Sequence, residues 1–414
     1  MFQLPSDKCR SCKGNLEEIK NLGEFYSCGI FPGAKAQPVD LGELAIGICV
    51  ECELVQLLED YDHTKLYTES YGYRSSLNES MVAHLDSIAI EIATILAEAK
   101  TSDDLNHLDI GSNDATLINQ VSRYSEQKGL VLKQLGVDPS GEGFRQYYSK
   151  ADLLVAPFSS DVAASIFQKF KVVSSVAMFY DLPDPRDFVK GIKFVLDENG
   201  VWISEQSYFF RMIEQTAFDT ICQEHLEYYS VKDIENICEN SGMELFHVEF
   251  NDVNGGSFRF YAQHRGGPRR RSNDLASALK NEEGRNKRTE LETMFHKVEK
   301  FRDEILEFLR DCKKRGLEVH GYGASTKGNT LLQYFGITED LVACIAERNE
   351  SKFGKYTPGT LIPIISEQES RSRKPYAYLV LPWHFKDAIL KREDEFRTKT
   401  ETKFCFPLPK FEII

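Results

Sequence analysis

The residues best suited to chemistry on a nucleotide-like ligand lie in Asp109-Ile-Gly-Ser-Asn-Asp-Ala115. This stretch follows the apolar run Leu105 to Leu108 and precedes a helical pattern through Leu117, Ile118 and Val121. In a doubly wound sheet such a strand–turn–helix unit holds its ligand at the carboxyl end of the strand. Gly111 lets the backbone approach that ligand with no Cβ in the way. A second strand pattern, Val131 to Val137, ends in Asp138, a carboxylate placed to accept hydrogen bonds from a ribose diol. Only one glycine is present and acidic residues flank it, so a pyrophosphate would be repelled. An uncharged or cationic adenosine ligand suits the turn better, and S-adenosylmethionine fits that description. An ordinary strand–helix turn without a ligand is the competing reading.

A different chemistry is written into Cys9-Arg-Ser-Cys12 and Cys49-Val-Glu-Cys52. Each CxxC turn aims two thiolates at one point, and two such turns complete a closed tetrahedral zinc site, structural and not catalytic. A redox dithiol or incidental cysteines are the alternatives, and Cys28, outside both pairs, reads as packing. Further along, Gly321-Tyr-Gly-Ala-Ser-Thr-Lys-Gly328 joins a strand pattern to a helix pattern. The glycines, Ser325, Thr326 and Lys327 of that turn suit a phosphate at a helix N-terminus. The spacing is not that of a Walker motif.

The elements that must position these residues follow from the pattern. Residues 1–66 form a small β-rich zinc-binding unit. A tyrosine- and serine-rich link from Tyr67 to Ser76 leads to a helix over Ser80–Ala99. Residues 67–265 alternate strand and helix patterns, which implies a parallel sheet with helices on both faces. Strands are predicted at Leu105–Ile110, Val131–Val137, Leu153–Ala156, Val172–Ala177 and Val201–Glu205, with a late pair at Met243–Phe250 and Ser257–Gln263. Residues 266–414 contain an exposed GGPRRRSNDL connection, a long amphipathic helix over 286–314 and a second α/β unit.

With 414 residues, two or three domains are expected. A net charge of −14 argues against non-specific nucleic-acid binding and against an anionic membrane surface. No apolar run is read as a membrane span, and the N-terminus lacks the apolar stretch of a signal peptide. Ten cysteines, four of them in CxxC pairs, fit an intracellular metalloprotein better than a disulfide scaffold. A cytoplasmic location is expected. Oligomeric state leaves no trace in the pattern.

Together these pieces resemble the sugar C-methyltransferases that act on nucleotide-linked keto-deoxysugars, over nearly the whole chain. The resemblance rests on the CxxC pairs, Tyr71-Gly-Tyr73-Arg-Ser-Ser76, Asp109 to Asp114, Asp138-Pro139-Ser140, and Glu224-His225-Leu-Glu-Tyr-Tyr-Ser230. It continues in Asn254-Gly-Gly-Ser257, Gly321 to Lys327 and Thr357-Pro-Gly359. It implies a zinc-binding N-terminal domain, a class I S-adenosylmethionine-dependent methyltransferase domain with a Rossmann-like sheet, and a Rossmann-like C-terminal domain. By resemblance, Asp109, Gly111, Asn113, Asp138 and Pro139 hold S-adenosylmethionine, with Ser75, Ser76 and His84 closing over it. Asn254, Ser257, Tyr322, Ser325 and Lys327 would meet the nucleotide-linked sugar between the central and C-terminal domains.

Methylating carbon needs one base, which removes the acidic proton beside a keto group so that the enolate carbon attacks the methyl on sulfur. The resemblance makes His225 that base, because imidazole titrates near neutral pH. Glu224 would orient the ring or the substrate, and Tyr73 and Asn254 would steady the enolate oxygen or the sugar hydroxyls. Without the resemblance, His225 reads as a core histidine capping the helix over Tyr229–Asn240. Two departures bear on the base and on the carbon methylated. Cys222 stands where some members carry a tyrosine, and Asp181 where they carry a histidine, with Tyr180 or Tyr228 in reach of a supporting role. Alternatives are O- or N-methylation of a sugar or other small molecule, an RNA- or protein-modifying methyltransferase, and a binding module that keeps the fold.

Overall fold

The computed structural model describes residues 4–5, 8–61, 74–99 and 105–414. Tyr73 and most of the tyrosine-rich link lie outside the described residues.

The N-terminal unit is built on β2 (Leu16–Tyr26), β3 (Leu41–Cys49) and β4 (Val55–Leu57), which pair antiparallel. Beside them β1 (Leu4–Pro5) pairs with β5 (Glu59–Asp60). The outer strand of the main N-terminal sheet comes from far along the chain. It is β11 (Glu227–Tyr228), which pairs antiparallel with β4 and immediately follows the Glu224-His225 pair.

The central sheet contains β6 (Asn106–Ile110), β7 (Lys133–Val137), β8 (Asp152–Leu154), β9 (Phe170–Val176), β10 (Leu196–Ser207), β12 (Met243–Asn251) and β13 (Ser257–His264), in the order β12-β13-β10-β9-β6-β7-β8. Only β13 runs antiparallel to its neighbours. Strand order reverses between β6 and β9, and ligands bind outside the carboxyl ends of strands at such a switch point. The strand expected at Val201–Glu205 starts earlier, at Leu196, which pairs with Phe170 across an irregularity before Val201. The polar Asp197-Glu-Asn-Gly200 segment interrupts the apolar pattern and hides that beginning.

The helix Glu79–Glu98 corrects one sequence expectation, since by length and composition it is apolar enough to cross a membrane. It is packed as a core helix. Asn78 caps it by accepting the Ser80 N–H at 3.1 Å, and Met81, Leu85, Ile88, Ala89, Ile92 and Leu96 are buried together. Its Glu91 pairs with the buried Arg259 of β13 at 3.0 Å.

The C-terminal sheet contains β14 (Val319–Tyr322), β15 (Ile345–Glu347), β16 (Ile364–Ser366), β17 (Ala377–Val380), β18 (Lys403–Phe406) and β19 (Glu412–Ile413). Their order is β16-β15-β14-β17-β18-β19, parallel except for β19, which is a Rossmann-like winding. The helix Asn273–Glu282 sets Leu275 and Ala278 into the central core, and the 28-residue helix Lys287–Lys314 then leads to β14. One apolar cluster joins the N-terminal strands (Leu44, Ile46, Val55), the C-terminal helix Thr326–Phe335 (Leu331, Phe335) and the segment carrying Phe218, Ile221, Cys222 and Leu226. The catalytic-candidate loop is therefore a central-domain segment clamped between the two outer units.

Candidate active site and cysteine cluster

Cys9 and Cys12 lie before β2, and Cys49 and Cys52 lie around the end of β3. The two turns are built alike. Lys13 follows the first pair with φ 64° and Glu53 the second with φ 60°. The Lys13 N–H donates to the Cys9 carbonyl at 2.9 Å and the Glu53 N–H to the Cys49 carbonyl at 3.0 Å. All four sulfurs lie within 4.8 Å of one another, with Cys9–Cys52 at 3.6 Å and Cys12–Cys49 at 3.3 Å. Zn–S bonds of about 2.3 Å in a tetrahedron need sulfurs roughly 3.8 Å apart, so the set fits zinc. With all four positions filled by thiolates, the metal is structural. Arg10, inside the first turn, reaches away from the cluster, and its guanidinium donates to the carbonyls of Leu57 and Glu59 at 2.7 Å each.

At the central switch point the turn after β6 is held by its own side chains. Asp138, at the end of β7, accepts the Asn113 N–H at 2.8 Å through Oδ2, and the Ser140 N–H and hydroxyl at 2.7 and 2.6 Å through Oδ1. The buried Tyr148 hydroxyl donates to the Asn113 carbonyl at 2.7 Å. Asp109 is buried within β6 and accepts from Ser174 at 2.6 Å. Burial pushes its carboxyl up to about 7, with the nearby Asp138 charge adding to the effect. Gly111 has φ +72°, and a Cβ there would sit 2.9 Å from Met178 Cγ, so conformation and packing both require glycine. The Ser75 N–H donates to Asn113 Oδ1 and the Ser76 N–H to Asp114 Oδ2, both at 3.1 Å, which lays the start of the helix over this turn. Pro139 continues the turn, half-buried. This acidic, pinned turn fits a sulfonium-bearing adenosine ligand by charge. His84 is tied elsewhere, because its Nε2 meets Glu205, which Arg259 also holds at 2.9 Å.

His225 lines a small pocket of central-unit side chains with Tyr180, Tyr208 and Thr220, and the Lys327 charge of the C-terminal unit acts on it. His225 Nδ1 is 2.7 Å from the Thr220 carbonyl. A carbonyl only accepts, so Nδ1 carries the proton and Nε2 holds the lone pair, with no hydrogen bond to the described residues. The Tyr180 ring stands edge-on to the imidazole, with centroids 4.7 Å apart. Burial and the Lys327 charge lower the His225 pKa to about 4, so the ring is neutral at pH 7. Lys327, in the first turn of the helix Thr326–Phe335, donates to the Asn254 carbonyl at 2.9 Å. Burial and then the Lys327 charge lower the pKa of His384, while burial lowers that of Lys327 itself and Asp219 raises it. Asn254 thus contributes its backbone, held at φ 56°, and it also lines a cavity of about 220 Å³ with Ser80, Met81 and Phe385.

Several expected residues are placed otherwise. Thr220, and not Glu224, orients the His225 ring. The carboxylate of Glu224 lies over Gly29 of the N-terminal unit, where an added Cβ would come within 2.0 Å of it. Burial pushes the Glu224 carboxyl up to about 7. The helix Val231–Asn240 is capped by Ser230 and Asp233, so His225 is not its cap. Tyr322 is buried in the C-terminal core and donates to Glu393 at 2.9 Å. Ser257 is buried in β13 and donates to the Val253 carbonyl at 3.0 Å. Ser325 caps its helix by accepting the Gly328 N–H at 3.0 Å. Asp219, Trp383 and His384 escaped the sequence pattern. The last two follow β17, at the carboxyl end of a parallel strand, a position that could have flagged them. Asp219 carries no local signal.

The pinned acidic turn and the seven-stranded order define a class I methyltransferase, and the chain is an S-adenosylmethionine-dependent enzyme of that class. Residues 9–67 match a zinc binding domain, residues 83–248 a methyltransferase domain, and residues 252–409 a C-methyltransferase C-terminal domain. A full-length relative is the C-methyltransferase NovU of Streptomyces niveus, 25% identical over 99% of this chain and 97% of its own length. Solved structures with lower similarity include the plantazolicin methyltransferase BpumL with S-adenosylhomocysteine and a substrate analogue. It is 11% identical with TM-score 0.35, covering 46% of this chain and 87% of that one. A methyltransferase of Clostridium acetobutylicum is 13% identical with TM-score 0.33, over 43% of this chain and 91% of that one. In the order of these three matches the chain is similar to C-methyltransferases that join a zinc binding domain to methyltransferase and C-terminal domains.

Proposed function

We propose that this enzyme C-methylates a nucleotide-linked keto-deoxysugar through an enolate, with His225 Nε2 as the general base. One observation carries the reading: the Thr220 carbonyl fixes the proton on Nδ1 and leaves the Nε2 lone pair to accept, with the Lys327 charge near enough to act on the ring. A neutral imidazole in that tautomer accepts a proton without first losing one. The bound cofactor supplies an electrophilic methyl group on a sulfonium. Asp138 and Asn113 hold its ribose side, and Ser75 and Ser76 cover the turn.

Lys327, at the head of its helix, balances charge on the substrate diphosphate or on the developing enolate oxygen. Asn254 forms the wall between the two domains. The C-methyltransferase C-terminal domain match and the relative NovU support transfer to carbon, and the small-molecule acceptor and nucleotide link rest on the sequence resemblance.

The reading is tested with 13C-methyl S-adenosylmethionine and a panel of dTDP- and GDP-linked keto-deoxysugars. A carbon-bound labelled methyl is the expected product. An oxygen- or nitrogen-bound methyl would establish the alternative acceptor chemistry instead.

A further inference from the structure

Asp219 is fully buried, six residues before His225. Its Oδ2 accepts the Trp383 indole N–H at 2.8 Å, across the boundary between the central and C-terminal units. Its Oδ1 is buried without a hydrogen-bond partner among the described residues. Asp219 is the middle residue of the single 3-10 turn Phe218–Thr220, and the last residue of that turn supplies the carbonyl that receives His225 Nδ1–H. The same turn is gripped a second time from the C-terminal unit. Phe218 stacks on Phe335 at 5.3 Å, at the end of the helix whose first turn carries Lys327. Trp383 in turn follows Pro382, against which the Gly323 backbone packs so closely that a Cβ would lie 2.9 Å away.

We infer that the Trp383–Asp219 hydrogen bond positions the base: the C-terminal unit sets the Phe218–Thr220 turn, and the turn sets the tautomer and direction of the His225 ring. Trp383 and Asp219 are positioning residues, acting on the proton transfer only through the Thr220 carbonyl. The indole needs an acceptor at Oδ2, and the carboxylate charge is secondary. Asparagine at position 219 can still offer a carbonyl oxygen to the indole, whereas phenylalanine at position 383 offers no donor.

The inference rests on His225 being the base, so His225→Ala is measured alongside Trp383→Phe and Asp219→Asn in the full chain. The substrate is whichever member of the keto-deoxysugar panel is turned over fastest. Trp383→Phe is expected to lower kcat on the order of 10- to 100-fold, with KM for the acceptor changed by less than about 3-fold. Asp219→Asn is expected to keep kcat within about 5-fold of the parent. A readout independent of turnover is 15N NMR of the histidine-labelled protein, with His225→Ala giving the assignment. The parent should show the Nδ1–H tautomer alone, and folded Trp383→Phe a mixture with Nε2–H.

A Trp383→Phe enzyme with parental kcat and a pure Nδ1–H tautomer would overturn the inference while leaving the base assignment standing. The inference also fails if Asp219→Asn loses activity and Trp383→Phe does not, because charge would then be what matters. If His225→Ala keeps kcat within about 5-fold of the parent, the base assignment itself fails.

Discussion

The two nitrogens of His225 are made unequal by one backbone carbonyl. Nδ1–H is committed to Thr220, so proton acceptance falls to Nε2, and a neutral ring is maintained because burial and Lys327 both oppose its protonation. The sign of the pH effect follows. A histidine whose folded pKa lies below its unfolded value of 6.5 makes the fold less stable as pH falls from 6.5 towards about 4. Asp219 and Glu224 run the other way. Burial raises their carboxyls to about 6 and about 7, so stability drawn from keeping them protonated is lost as pH rises through those values. An NMR titration should therefore give His225 a midpoint near 4, and a midpoint near 6.5 would show that the ring is neither desolvated nor next to the Lys327 charge. At the same scale, Asp138→Ala should weaken S-adenosylmethionine binding about 10- to 100-fold, because the Asn113 amide and the Ser140 groups lose their acceptor along with the ligand. Equilibrium dialysis giving a Kd within about 2-fold of the parent would remove Asp138 from the cofactor site.

At the scale of elements, the catalytic loop owes its shape to strands and turns that belong to other units. The chain leaves His225 and immediately enters β11, which completes the zinc-type sheet by pairing with β4. The Leu57 N–H donates to the Leu226 carbonyl at 2.8 Å, one residue from the base. The two matching CxxC turns lie beside that pairing, with Arg10 of the first turn 3.7 Å from Glu227 of β11, so a metal there would brace the frame and take no part in methyl transfer. Metal analysis should give one zinc per chain, falling well below one in Cys9→Ser or Cys49→Ser with a lower Tm. Zinc content far below one in the parent, unchanged by either substitution, would contradict the assignment. The helix Glu79–Glu98 makes a related point: its apolar length reflects burial against the sheet, with Glu91 spent on Arg259.

In the whole molecule, three units meet around the proposed site. On the proposed reading the central switch point would hold the methyl donor, while the C-terminal winding brings Lys327 and Trp383, and the N-terminal sheet and the C-terminal helix clamp the segment that carries His225. Much of this organisation was legible in the sequence, because strand and helix periodicity, the CxxC pairs and the Gly111 and Gly321 turns are local signals. The polar start of β10 and the two-residue β11 were not, since neither has enough apolar period to register. At the site, the motifs pointed to His225, Lys327 and Asp138, which remain the proposed site residues, but also to Tyr322 and Ser257, whose hydroxyls are engaged inside the fold. The hydroxyls of those two are consumed by Glu393 and the Val253 carbonyl, partners that only the folded chain supplies. Asp219 was invisible for the same reason, as its partner lies 164 residues away.

The central claim is that His225 abstracts a carbon-bound proton before any methyl is transferred. Incubating the enzyme with S-adenosylhomocysteine and the keto-sugar panel in D2O isolates that step, because the enolate can form and be quenched but not methylated. Deuterium is expected at a single carbon beside the keto group in at least one panel member, with loss of that exchange by about 100-fold or more in His225→Ala. Methyl transfer to a panel member that shows no exchange, or exchange undiminished in His225→Ala, would contradict the claim.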